Sequence, residues 1–348
     1  MDIHTELIQR DPKLFINAQL IHSPDVFKVY YKPNDCYLML RKTDLKEYES
    51  LDFMRKEVLL CHKLKHINLL SIITSFTVGS DLWTLTPYSV FGSLSDVSKP
   101  FGLTEQCISL VVKDVLNGVQ YLHNNSIVHH SIKASHILVL GRPDTQMRCV
   151  LSGLKYSVSA IREGKVMYPM YDFPVHTERY INWMAPEVLE QNMMGYDTKA
   201  DIYSIGITCC ELCNGSIPYR GLEPSEVLLS KLNGDIPEPL DSTCAGLNQL
   251  TKKGDNKEEI NKYLESKPEE KLRYESFLQR TYSKTFKEFV IKCCLHPEPH
   301  KRYNVTQLLG HQFITNSDWI EWFGGKQNQN QVLLDSFNRN GNGRSFSL

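Results

Sequence analysis

The stretch IVHHSIKASHILV at positions 127–139 decides how this chain is read. Within it, His129-His130-Ser131 is followed by Lys133 and then, five positions after the serine, by His136. A serine hydroxyl needs a partner base before it can accept a proton at neutral pH, and imidazole is a poor ligand for a hard cation that prefers oxygen. The loop therefore offers no carboxylate at either of these positions. Working outward, a chain of 348 residues exceeds one typical domain, so two lobes are expected. Net charge is -1, which gives no global field for nucleic acid or an anionic membrane. No apolar run approaches the roughly 18 residues needed to span a bilayer. The ten cysteines lie mostly in apolar segments such as IYSIGITCCELC, as buried reduced thiols of a cytosolic or nuclear protein do. Cys210 and Cys213 lack the second pair that a zinc site would want, and His123, His129, His130 and His136 follow the spacing of the loop itself, so no metal site is read.

The chain divides into a strand-rich first part and a helical remainder. From about Ile21 to Leu45, Val26, Val29 and Tyr31, then Tyr37, Leu38, Met39 and Leu40, alternate about the turn Lys32-Pro-Asn-Asp35. A helix over about 45–64 repeats Phe53, Val58, Cys61 and Leu64, and two further strands fall at 69–78 and 82–85. Thr104 reads as the N-cap of a helix whose apolar face holds Ile108, Val111, Val112, Val115, Val119 and Leu122. A lengthened hairpin turn follows at Gly141-Arg-Pro-Asp144. The span of about 240–282 reads as a polar insertion, partly helical or disordered, and the tail from Gly324 as disordered.

In this order the features resemble a protein kinase domain: an α+β, bilobal fold with a small β-rich N-lobe at 21–88 and a larger helical C-lobe at 89–323, flanked by an N-terminal extension at 1–20 and a tail at 324–348. In a kinase the 127–139 stretch would be the catalytic loop, with an Asp at Ser131 and a magnesium-binding Asn at His136. Gly153, in Ser-Gly-Leu, stands at the second magnesium ligand. The first hairpin would carry a glycine-rich loop, yet HSPDVFKVYY has no glycine. Arg41 takes the place of the phosphate-binding lysine and Glu57 that of its partner; Thr86, Tyr88 and Ser89 form the hinge, with Pro87 removing one donor. Trp183-Met-Ala-Pro-Glu187, Asp201-Ile-Tyr-Ser-Ile-Gly206 and Arg302 match structural motifs of the large lobe, with Arg302 as partner to Glu187. His130, in place of an arginine that meets an activation-loop phosphate, argues against Thr177 or Tyr180 as an activating switch.

HSIKASHIL, LSGL, Tyr171-Asp-Phe-Pro174, the stretch from Gly195 to Thr208 and Lys231-Leu-Asn-Gly234 are similar to the STRAD (Ste-related kinase adaptor) pseudokinases, over about 21–313. The resemblance implies an inactive kinase fold that binds and allosterically activates a serine/threonine kinase at the head of the energy-sensing pathway. It also implies a helical-repeat scaffold as second partner and retention of the kinase in the cytoplasm, for a protein that is cytoplasmic and also nuclear. The implied cofactor is ATP without magnesium, at Arg41, Glu57, Thr86, Tyr88, Ser89 and Lys133. Tyr168, Tyr171, Phe173 and Tyr180 are the candidate partner-binding anchors. The family's C-terminal Trp-Glu-Phe anchor is missing from the end of the chain, and Asp318-Trp-Ile-Glu-Trp-Phe323 has similar residue types in a different order. The alternative reading is a weakly active or nucleotide-sensing serine/threonine kinase of atypical mechanism.

Overall fold

A computed structural model describes residues 8–21, 25–46, 48–99, 101–141, 147–173, 179–243 and 265–315. The first lobe is one antiparallel sheet of β1 (Phe15–Leu20), β2 (Val26–Tyr31), β3 (Cys36–Asp44), β4 (Thr74–Val78) and β5 (Asp81–Pro87), in the order β1-β2-β3-β5-β4, with α1 (Tyr48–Lys63) inserted after β3. The β2–β3 turn closes on Asp35, whose φ of 48° is a left-handed conformation that Asp tolerates. That turn sets the register Val29 to Leu38 and Lys28 to Met39. Side chains of a strand alternate between faces, so Val29, Tyr31, Leu38 and Leu40 bury one face with Phe15, Ile73 and Leu85. Val26, Lys28, Met39 and Arg41 take the other, which roofs the interlobe cleft.

The sheet begins earlier than residue 21. Phe15 of β1 stacks on Tyr31 with ring centroids 5.0 Å apart, the Gln9 amide donates to Tyr31 Oη at 2.9 Å, and Ile8 joins the same core. Residues 8–20 are thus part of the lobe and not an extension of it; the aromatic pairing that recruits them has no short-range periodicity to announce it.

The second lobe is built on two long helices, α3 (Glu105–Asn124) and α5 (Lys199–Asn214). Thr104 caps α3 by accepting from the Cys107 amide, and the apolar stripe expected from the sequence is buried. Each such side chain contributes roughly 1.5–3 kcal/mol when withdrawn from water. Around this pair lie α2 (Leu94–Ser98), α4 (Pro186–Glu190) and α6 (Pro224–Leu232), with β6 (Ile127–Val128), β7 (Ile137–Leu140) and β8 (Arg148–Leu151) at the lobe junction. Of the polar insertion, the described part contains the helix Pro268–Leu278. Its two ends are stitched together: Asp241 accepts from the Tyr282 amide at 2.8 Å and from Lys287 Nζ at 2.8 Å. Thr177, residues 244–264, Asp318 to Phe323 and the tail lie outside the described residues. Among those described, no helix is long and apolar enough to cross a membrane.

Glu187 and Arg302 form the pair their motifs call for. The guanidinium, with no exposed side-chain surface, grips the carboxylate with bonds of 2.6 and 2.9 Å and gives its remaining donors to the carbonyls of His296, Lys199 and Pro297. Glu187→Ala leaves that buried cation without its counter-charge, which costs roughly 3–5 kcal/mol in comparable sites. Urea unfolding of the variant is expected to show a loss of that order; a change below about 1 kcal/mol would mean that the carbonyls alone satisfy Arg302.

Candidate functional site

Between the lobes lies a cleft of about 630 Å³. Arg41 reaches from β3 to Glu57 on α1, Nη1 to Oε2 at 3.1 Å. This ion pair fixes α1 against the sheet. Thr86, Tyr88 and Ser89 line the opposite wall, and Leu138 of β7 the floor. Lys133 does not belong to this lining: its ammonium lies 5.2 Å from the centroid of the Trp183 ring, on the side of the large lobe, and burial lowers its pKa. Assigning Lys133 to the cleft is thereby corrected, because Glu211 and the indole draw the side chain the other way. Two cations that sequence reading did not assign to the cleft, Lys28 and Lys155, do line it. Lys28 is two positions from Val26 on a strand already read as such, so period-two alternation alone could have found it. Its ammonium rests over the rings of Tyr37 and Tyr88, 4.1 and 4.8 Å from their centroids.

The loop after β6 hangs from one buried carboxylate. Asp201, at the start of α5, accepts from the backbone amides of His129 at 2.8 Å and His130 at 2.9 Å and contacts His123 Nε2 at 2.8 Å. Burial alone would raise the pKa of Asp201, but the His123 bond and the nearby imidazoles outweigh it, leaving the pKa lowered. His130 is held at a φ of 64°, its ring edge-on to Tyr196, and burial depresses its pKa to about 4. It is a neutral group where a phosphate would need a cation.

Ser131 and His136 touch within this loop. His136 Nδ1 lies 2.7 Å from the Ser131 carbonyl oxygen and 2.9 Å from Ser131 Oγ. A carbonyl oxygen only accepts, and burial keeps the imidazole neutral, so Nδ1 carries the proton. It therefore cannot serve as base to the serine hydroxyl. Gly153 completes the trio at a φ of 91°, and a Cβ there would stand 2.7 Å from His136 Nδ1. The imidazole thus fills the space in which a side chain at 153 would sit. Among the described residues, no group of three or more His, Cys, Asp or Glu is placed to hold a metal ion.

The segment that follows is split in its exposure. Tyr168, Tyr171 and Phe173 are 41, 64 and 42 % exposed, whereas Tyr180 is 1 % exposed. Tyr180 is accordingly no surface anchor: it is the buried end of a row of rings that runs through Tyr156 to His136 at the cleft, at centroid spacings of 4.9 and 6.2 Å. The exposed part is fastened to the lobe. Met170 and Tyr196 exchange backbone bonds of 2.8 and 3.0 Å, and Tyr171 Oη donates to the Met193 carbonyl at 3.2 Å. The Tyr171 ring lies over Gly195, where a Cβ would come within 2.9 Å of it.

A two-lobed frame with an Arg–Glu pair, an Asp-pinned loop and an Ala-Pro-Glu to Arg tie defines a protein kinase domain, and the protein kinase domain family model matches residues 23–314. More narrowly, STE20-related kinase adapter protein alpha of Gallus gallus is 35% identical over 295 residues, covering 82% of this chain and 75% of that protein. The alpha protein of Rattus norvegicus is 34% identical, covering 82% and 74%, and the beta protein of Homo sapiens 32%, covering 82% and 70%. The chain belongs to the STE20-related kinase adapter family, within the protein kinase fold.

The coupling of His136 and Gly153 is open to direct measurement. Gly153→Asp is expected to destabilise by roughly 1–3 kcal/mol through overpacking, and His136→Asn, a smaller side chain, to recover part of that loss in the double variant. Thermal unfolding of the four proteins gives the interaction energy; strict additivity would show that the two sites do not share space.

Proposed function

We propose that this chain is a catalytically inactive kinase-fold adaptor that binds a serine/threonine protein kinase and activates it allosterically. A helical-repeat scaffold completes the assembly, which keeps the kinase in the cytoplasm, with the adaptor itself also nuclear. The observation that carries the reading is the combination of an intact frame with Ser131, His136 and Gly153 at the positions of chemistry. Preorganised charges of that kind are each worth roughly 100- to 1000-fold in rate, and they act as a unit. What the frame still offers is a surface. Tyr171 and Phe173, aromatic side chains of the type that dominate interface energetics, stand exposed on a segment fastened to the lobe at Met170.

Purified protein is expected to transfer no label from ATP with magnesium or manganese, and to raise the activity of the kinase recovered with it from lysate. Tyr171→Ala with Phe173→Ala should lower that stimulation at least tenfold, equivalent to about 1.4 kcal/mol of binding, while Tyr171→Phe, which removes only the bond to the Met193 carbonyl, should leave it near the parent value. Undiminished stimulation would move the interface elsewhere; phosphoryl transfer by the purified protein would favour the atypical kinase.

The cleft supports metal-free ATP as its ligand. The floor and roof are apolar at Leu138 and Met39, Thr86, Tyr88 and Ser89 form the hinge wall, and Arg41 and Lys155 bring positive charge without any carboxylate at 131 or 153 that would need a cation between it and the phosphates. The glycine-free turn at 22–24 lies outside the described residues. In chelator, millimolar ATP is expected to raise the melting temperature, because a ligand bound only by the folded state stabilises it by mass action. Arg41→Ala should abolish the shift; no shift in the parent protein would leave the cleft a structural remnant.

A further inference from the structure

Lys231 is a charge in the wrong surroundings for a surface-seeking residue. It lies in α6, is 2 % exposed, and carries a pKa pushed well below the ordinary lysine value by burial. The carboxylate whose field reaches it, Glu187, is already committed to Arg302. Burying an ammonium costs far more than burying a methionine of similar shape, so something in the lobe must use its donors.

Those donors go to the backbone. Nζ bonds the carbonyl of Asn182 at 2.8 Å and that of Met184 at 2.5 Å, while the rings of Tyr203 and Tyr219 cover it at 4.9 and 5.3 Å. Between the two, the Trp183 carbonyl accepts from Ser204 Oγ at 2.8 Å, and the Trp183 indole donates to Glu211 at 2.8 Å. Three successive carbonyls, at 182, 183 and 184, are therefore each taken by a buried side chain of α5 or α6. A carbonyl buried without a partner costs about as much as a lost hydrogen bond. Two donor groups thus hold the segment, Lys231 Nζ at 182 and 184 and Ser204 Oγ at 183.

A kinase fold has another way to order this region, through a phosphate on the preceding segment held by a cation at position 130. Here that position holds the buried imidazole of His130. We infer that Lys231 is a positioning residue: it fixes residues 182–184, and through the Trp183 and Met184 amides the carbonyls of Tyr180 and Ile181 that follow the segment carrying Tyr171 and Phe173, in a shape that needs no phosphorylated side chain. The inference deepens the adaptor reading and rests on it for its use, although the pinning itself does not.

Hydrogen exchange of the full chain, followed by mass spectrometry, tests it. The amides of Trp183 and Met184, bonded to the carbonyls of Tyr180 and Ile181, report the segment; those of α5 report the lobe. Lys231→Met keeps the volume and removes the donors, and is expected to speed exchange at 183–184 at least about tenfold, the size of one lost charged hydrogen bond, with α5 unchanged. Should that variant fail to fold, Tyr219→Leu, which thins the cover over the ammonium and leaves the carbonyls in place, is expected to give a smaller rise confined to the same amides. Unaltered exchange at 183–184, or an equal rise throughout α5 in Tyr219→Leu, overturns the inference. Partner stimulation is scored separately. Local exchange that rises as expected in a protein that activates no kinase would sink the adaptor reading and leave the pin; stimulation by the parent protein with no exchange change in Lys231→Met would do the reverse.

Discussion

A single carboxylate, that of Asp201, holds the centre of this molecule together. It is fully buried at the first turn of α5, and the amides of His129 and His130 bond to it from a loop that has little regular structure of its own. An ionised carboxylate in such a place would be ruinous without donors, and those amides would be equally costly without an acceptor. Each therefore requires the other. The pairing forces the left-handed turn at His130, aims Ser131 and His136 at one another, and lets His129 bond the Ser152 carbonyl just beyond the end of β8. The architecture of this loop thus does not depend on the side chains at 131 and 136, because the groups that shape it are backbone amides, which no side-chain substitution there removes.

The same separation of scaffold from chemistry runs through the first lobe. Leu38 and Leu40 bury one face of β3 while Met39 and Arg41 stand on the other, so the strand can change its cleft-facing residues without disturbing its core. Arg41 still meets Glu57, at 3.1 Å, and a planar guanidinium suits a carboxylate well. What the pair does for α1 is mechanical whether or not a nucleotide lies beside it.

Much of this was legible in the residues. The strand alternation about Lys32 to Asp35, the Thr104 cap, the apolar stripe of α3 and the Glu187–Arg302 tie all depend on local pattern or on motifs in fixed order, and the structure has each of them. The strand at Phe15 was not legible, because only its first residue is buried and FINAQL therefore shows no alternation, although it pairs with the neighbouring β2 from Phe15 opposite Tyr31. Tyr180 and Lys133 illustrate the same limit at the site. Both are amphipathic side chains whose direction is settled by neighbours from other elements, Tyr156 for the one, Trp183 and Glu211 for the other. Residue type cannot say which way such a side chain turns. Lys231 is the extreme case, a lysine whose two acceptors are carbonyls about 50 residues away in sequence.

The space that His136 fills beside the bare Cα of Gly153 makes the two positions interdependent. With the imidazole in the volume beside residue 153, a single substitution to an acidic side chain there has to displace the ring. The ring would have to leave first, and its departure alone would empty a well-filled space with nothing gained. Two substitutions, each unfavourable by itself, separate this site from one with an acidic group at 153. The arrangement works as a latch: each of the two positions holds the other to its present residue type.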